Sequence, residues 1–217
     1  MPIVTPPVVA AATTTLTDYA GLQASIANFL HRSDLNSIIV DFIKLAEVRI
    51  NGDLDARSQD TKTTLSTSIA QETVGLPTDC INIRHLSVSS VTPVITLDYV
   101  SPDQFETVYP WGNNGIPQVY SVIGGDIYLA PKPDAVYSLD LVYKAKVPNL
   151  STNLTTWLMT NYPNVYLYGA LCESAPYLKD DNRIPVWEMK YKEAIQSVNN
   201  QDWYSGSTMR VRGDVRM

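Results

Sequence analysis

Apolar residues recur at two different periods along this chain, and the places where the period changes divide it. From Thr17 the spacing is helical. Tyr19, Leu22, Ile26, Phe29 and Leu30 share one face, and Thr15 or Thr17 can cap the start. Asp18 suits the positive end of the dipole, and His31-Arg32-Ser33 ends the helix. A second helix begins at Ser33 or Asp34 as cap. Leu35, Ile38, Ile39, Phe42, Ile43, Ala46 and Ile50 follow the amphipathic template closely, with Asn51-Gly52 as the stop.

Between residues 62 and 147 the helical period disappears. Residues 62–69 are rich in Thr and Ser, as half-exposed strands are, and 72–77 and 82–91 read as further short strands. Residues 101–105 look like a short helix start, and Gly112-Asn113-Asn114-Gly115 like an exposed loop. Residues 120–129 read as a hairpin turning through Gly124-Gly125-Asp126, and 139–144 alternate as a strand.

Helical spacing then returns. Pro163 suits a first turn, with Asn161 or Tyr162 near the cap, and Leu167, Leu171, Ala175 and Leu178 recur behind it. Val165, Tyr166, Tyr168 and Ala170 add apolar surface on other faces, which predicts burial on more than one side. Pro176 is expected to kink or end this helix. After a polar turn at 179–182, Asp181 or Asn182 caps a last helix striped by Ile184, Trp187, Tyr191, Ile195 and Val198, with Pro185 in its first turns. Glu188, Lys190, Lys192 and Glu193 take its other faces, and Ser205-Gly206-Ser207 ends it.

Helices and strands are therefore segregated, which predicts an α+β fold. The N-terminal helix pair and the C-terminal αα-hairpin are expected to pack as one helical bundle, with a small antiparallel β domain inserted. The expected domains are an extended arm over 1–16, a helical domain over 17–60 and 150–205, the β domain over 61–149, and a C-terminal arm over 206–217. That last segment sets Arg210, Arg212 and Arg216 against one Asp214. It reads as a solvated tail or as an arm that orders on an acidic partner.

Composition narrows the function. With 217 residues and 45% hydrophobic content the chain can bury a sizeable core. A net charge of −6 argues against a nucleic-acid binder that uses its whole surface. Cys80 and Cys172 are far apart and lack a CxxC spacing, which suits reduced thiols in a cytoplasm. The start has no basic region and is interrupted by Pro2, Pro6 and Pro7, so it reads as an extended arm, disordered or laid along a neighbour, and not as a signal peptide. Asn149-Leu150-Ser151 and Asn153-Leu154-Thr155 match glycosylation acceptors but carry no weight without such a signal. No apolar run approaches the ~20 residues that span a bilayer.

Candidate chemistry is sparse. A Ser–His–Asp site would need His31 or His85, one at a helix end and one in a strand, and ordinary structural roles suit both better. Asp180 and Asp181 are adjacent carboxylates without a third ligand, as in a solvated turn. Gly124-Gly125 is followed by a strand, so it is no phosphate loop. The 13 tyrosines are scattered and suit core and interface packing. No catalytic residue, cofactor or metal ligand is expected.

Four segments carry a resemblance. They are Tyr19-Ala20-Gly21-Leu22-Gln23 through Phe29-Leu30-His31-Arg32-Ser33-Asp34-Leu35, then Phe42-Ile43-Lys44-Leu45-Ala46-Glu47-Val48-Arg49-Ile50-Asn51. The third joins Leu76-Pro77-Thr78-Asp79 to Pro117-Gln118-Val119-Tyr120 and Gly125-Asp126-Ile127-Tyr128-Leu129-Ala130-Pro131, and the fourth joins Trp157-Leu158 to Tyr168-Gly169-Ala170-Leu171 and Leu178-Lys179-Asp180-Asp181. In this order and spacing the chain resembles the head-to-tail adaptor (head completion, or tail tubular) proteins of short-tailed bacteriophages.

The resemblance implies a structural virion protein of the neck, made in the host bacterial cytoplasm, with no enzymatic activity and no cofactor. It implies a homo-oligomeric ring of about twelve copies under the portal protein, extending the DNA channel and offering a surface to the tail nozzle protein. DNA would pass through the lumen without specific binding, and no membrane is involved. Met209, Arg210, Val211, Arg212, Arg216 and Met217 would form the portal-docking arm, with Phe105, Tyr109, Trp111, Asn113, Asn114, Gly124 and Gly125 on the tail-facing edge. Such a ring would carry about −72 charges before screening, which suits a conduit that does not grip its cargo. The alternatives are another neck or tail-completion protein, or a glycan-binding tail component that uses its tyrosines and acids.

Overall fold

The computed structural model describes residues 16–32, 34–108, 113–178 and 182–201. In chain order its elements begin with α1 (Tyr19–Leu30), α2 (Asn36–Asp53), β1 (Asp60–Ser66), β2 (Thr73–Gly75), β3 (Cys80–Val88), β4 (Ile95–Thr96), β5 (Asp98–Tyr99) and α3 (Pro102–Val108). They continue with β6 (Asn114–Gly115), β7 (Val119–Ile123), β8 (Asp126–Ala130), β9 (Lys132–Pro133), β10 (Ser138–Ala145), α4 (Trp157–Asn161), α5 (Pro163–Leu178) and α6 (Ile184–Gln201). The fold is mixed α+β. Its contacts divide the chain into two units, Met1–Leu54 with Pro148–Met217, and Asp55–Val147.

The first unit is helical. Asp18, not Thr17, caps α1, and Thr15 lies outside the described residues: the Asp18 side chain accepts the Gly21 N–H at 2.7 Å, satisfying one of the orphan donors of the first turn. At the other end His31 takes a left-handed conformation, φ 53°, and lets Arg32 N–H reach back to the Ala27 carbonyl. α2 starts without a side-chain cap. Asp34, expected to cap it, is instead held by the Arg32 guanidinium at 2.6 and 2.7 Å, and Ser33 lies outside the described residues. α2 also continues past Asn51-Gly52 to Asp53, because Asn51 turns its side-chain amide onto the Glu47 carbonyl at 2.9 Å inside the helix.

α5 packs against α1, α2, α4 and α6, which explains its apolar character on several faces. It contains Pro176 and stops two residues later, so the lost donor falls in the final turn. Gly169 is where the helices come closest: a β-carbon there would stand 3.3 Å from Ala46 Cβ of α2 and 3.4 Å from the Tyr191 ring of α6. α6 buries Trp187, Tyr191, Ala194, Ile195 and Val198. Asn182 is described at its start, whereas Asp181 is not.

The second unit is a β module of two four-stranded sheets, ordered β1-β10-β3-β4 and β2-β8-β7-β5, with a further pair β6-β9. Leu86, Val88, Leu139 and Leu141 of one sheet and Val74, Ile127 and Leu129 of the other share one core. β10 sits inside its sheet and alternates buried and half-buried residues along its whole length, the pattern of a strand with one face on a core. β7 and β8 form a two-residue hairpin. Ile123 stands opposite Asp126, and Gly124 and Gly125 take φ +64° and +96°, conformations that cost a residue with a side chain. The expectation of an antiparallel domain needs one correction: β5 pairs with β7, and β6 with β9, in parallel. Each pair spans two residues, too short for any period to show in the sequence.

Candidate functional site

Of the residues expected at a portal contact, Met209, Arg210, Val211, Arg212, Arg216 and Met217 all lie outside the described residues. So do Tyr109 and Trp111 of the expected tail-facing edge. The remainder of that edge divides. Asn113 and Asn114 are exposed beside the β6-β9 pair, and Gly124 and Gly125 are exposed at the β7-β8 turn. Phe105 is different: at 4% exposure it is core, wedged by α3 against Val119 and Ala130 and edge-on to the Tyr128 ring. An aromatic at the buried position of a seven-residue helix anchors that helix and leaves nothing for a partner.

His31 and His85 lie in different units, and no group of three or more His, Cys, Asp and Glu gathers among the described residues. Asp180 and Asp181 are not described. No helix among the described residues is long and apolar enough to cross a membrane.

The β module does carry a cleft, of about 560 Å³. Its origin is topological. Residues 95–99 run from one sheet to the other: β4 pairs with Ser87 and Val88 of β3, and β5 then pairs with Val119 and Tyr120 of β7. Leu97 N–H bonds the Leu86 carbonyl at 2.9 Å, and Val100 N–H the Tyr120 carbonyl at 2.9 Å, so this bridge closes one end of the seam. The other end stays open. Among the described residues no strand covers the second edge of β3 over residues 80–85, or that of β7 over 121–123. Ile81, Ile83, Tyr99, Tyr120 and Val122 line the opening, with the Gly125 turn at its rim. Cys80 also lines it as a free, half-buried thiol, its ionisation pushed up by burial. None of the described residues lining the cleft carries a charge.

The helical unit presents a second feature, built around Arg49 of α2. Its Nη2 donates to both carboxylate oxygens of Glu188 on α6, at 2.7 and 2.9 Å, and its Nη1 to Glu173 on α5 at 3.4 Å. The guanidinium lies 4.5 Å from the centre of the Tyr191 ring, whose hydroxyl donates to Asp53 at 2.9 Å. One cation thus ties three helices. Burial by itself would push the Glu188 carboxyl up, but the Arg49 hydrogen bonds and charge outweigh it and hold Glu188 below the usual carboxylate range. Cys172, buried beside this group, has its thiol pushed up to about 12, mainly by burial. Sequence patterning did not single out Arg49, because Glu173 and Glu188 lie 124 and 139 positions away.

The same two helices expose apolar pairs at i, i+3 spacing. Leu45 and Val48 on α2 are 53% and 70% exposed, and Val186 and Met189 on α6 are 52% and 50% exposed. Elsewhere in this unit Glu47 is buried. Its carboxylate accepts the Leu150 N–H at 2.7 Å and pins the loop before α4, while burial pushes its ionisation up.

Compared with known families, residues 17–212 match the family described as SU10 adaptor protein. No curated protein matches the chain at a significant level.

Proposed function

The chain belongs to the SU10 adaptor protein family, and on that premise we propose that this structural protein of the phage neck works as a ring joining the portal to the tail nozzle. About twelve copies close the ring, with a channel for DNA through its middle. Its work is to fit between neighbours, and it needs no turnover of a substrate.

The observation that carries the self-assembly is the pair of exposed apolar doublets, Leu45 with Val48 and Val186 with Met189, on two helices that Arg49 and Glu188 lock together. Soluble helices normally turn such positions into a core. A rigid helix pair with apolar residues left outside suits contact with the next copy, where their burial would favour association by roughly 25 cal/mol per Å². Residues 209–217, with three arginines, are the arm that reaches the portal. Asn113, Asn114, Gly124 and Gly125 belong to the tail-facing edge.

Light scattering on the purified chain, alone and mixed with portal protein, tests this. A closed oligomer of about twelve copies, free or on the portal, is the expected result. Val48→Glu and Met189→Glu should lower the assembled mass without moving the melting temperature, because both side chains are exposed in the single copy. A single copy under every condition, portal present, would remove the ring.

A further inference from the structure

We propose that the open seam between β3 and β7 is a receptor for residues 8–12 of a neighbouring copy, which enter as an added strand; this rests on the ring reading above.

The receptor is a strand-sized gap. Residues 80–85 of β3 have no strand beside them on one edge among the described residues, which leaves that edge open to pairing from Ile81 on; the Cys80 N–H already bonds the Pro77 carbonyl at 3.0 Å. The bridge at 95–99 already shows how one short extended piece can pair with β3 and then with β7. A second extended piece laid end to end with it would complete the seam, and backbone hydrogen bonds would supply its affinity. Ile81, Asn82, Ile83, Tyr99, Tyr120 and Val122 line the gap and none is charged, so it suits an uncharged strand.

Two segments of this chain are candidates for that role. Residues 208–217 carry Arg210, Arg212, Arg216 and Asp214, and none of the described lining residues could neutralise a buried guanidinium. Residues 1–15 carry no charged side chain. Within them Pro2, Pro6 and Pro7 cannot donate to a ladder, whereas Val8-Val9-Ala10-Ala11-Ala12 keeps every N–H. Five residues span roughly 17 Å as a strand, against six residues of uncovered β3. The donor is taken to be the next copy, because a directional contact of arm into cleft repeats around a closed ring.

Cys80 makes this testable on full-length chains. In one chain Val9→Cys is combined with Cys80→Ser and Cys172→Ser. The second, tagged chain carries Cys172→Ser and keeps Cys80. The two are mixed, assembled and oxidised. After mixing in equal amounts, a covalent dimer of one tagged and one untagged chain is expected in up to about half of the material, the share of arms that meet a Cys80-bearing neighbour, while Val136→Cys in place of Val9→Cys, at another exposed position, yields at least tenfold less. Ile81→Arg in the second chain, at a lining residue 41% exposed, should abolish the dimer with the melting temperature retained. A ring by light scattering without the mixed dimer overturns the arm while leaving the ring. So does a single chain carrying both Val9→Cys and Cys80 that closes only on itself, or equal yield from the Val136→Cys control. Chains that never assemble overturn the ring reading, and with it the arm as its clasp.

Discussion

Arg49 of α2 donates to both carboxylate oxygens of Glu188 on α6, at 2.7 and 2.9 Å, although 139 positions separate them in the chain. The bond joins a helix from the beginning of the sequence to the last described one. Because Arg49 holds Glu188 below the usual carboxylate range, the sign of its pH dependence follows. The contribution is complete above the ordinary glutamate value of about 4.3 and disappears as pH falls through the lower folded value. Glu188→Gln should therefore cost about 1 kcal/mol at neutral pH, a modest figure because both side chains are partly exposed. Urea unfolding at pH 7 and at pH 3 measures this. The gap between wild type and variant should narrow at the lower pH, and a constant gap would mean that charge is not the cause.

Gly169 is required by space. A side chain there meets Ala46 and Tyr191 at 3.3–3.4 Å, so α2 and α6 must both give way. Gly169→Val should lower stability by about 1–3 kcal/mol, the usual cost of overpacking. Gly52→Ala, whose β-carbon would meet nothing within 4 Å, is the control and should be neutral or slightly stabilising. Thermal melts of the two variants decide the matter.

The two cysteines should label differently. Cys172 is buried with its thiol pushed up to about 12, so it holds almost no thiolate at neutral pH. Cys80, half-buried in the cleft, remains within reach. Native, unassembled chains treated with a small maleimide should gain one adduct, at Cys80, and a second only in denaturant. Peptide mass analysis that finds Cys172 modified first would contradict the packing of α5 against α6.

Removing residues 208–217 should leave the melting temperature unchanged and abolish attachment to portal protein in a co-sedimentation assay. A truncated chain that still docks would take the portal contact away from Met209, Arg210, Val211, Arg212, Arg216 and Met217.

What the sequence by itself determined are the features whose causes lie within a few residues of each other. The stripe of Leu35, Ile39, Phe42, Ile43, Ala46 and Ile50 dictates α2, since positions three and four apart share a helix face. Gly124-Gly125 dictates the β7-β8 turn, since both positions have positive φ. Pro163 marks the start of α5 for the same kind of local reason. Even among near neighbours, competition blurred the outcome: Asp18 took the α1 cap from Thr17, and Arg32 drew Asp34 away from α2.

What only the tertiary structure decided are the features made by residues distant in the chain. Phe105, in a short helix that the resemblance puts on an outer edge, becomes core only because Val119 of β7 and Ala130 of β8 pack against it. Arg49 looked like one more polar position on an amphipathic helix until α5 and α6 brought it Glu173 and Glu188. The cleft has no local signature at all. It exists because β4 and β5 are too short to cover β3 and β7, and a gap between two strands about 40 positions apart is a property of their pairing, which no periodicity along the chain encodes.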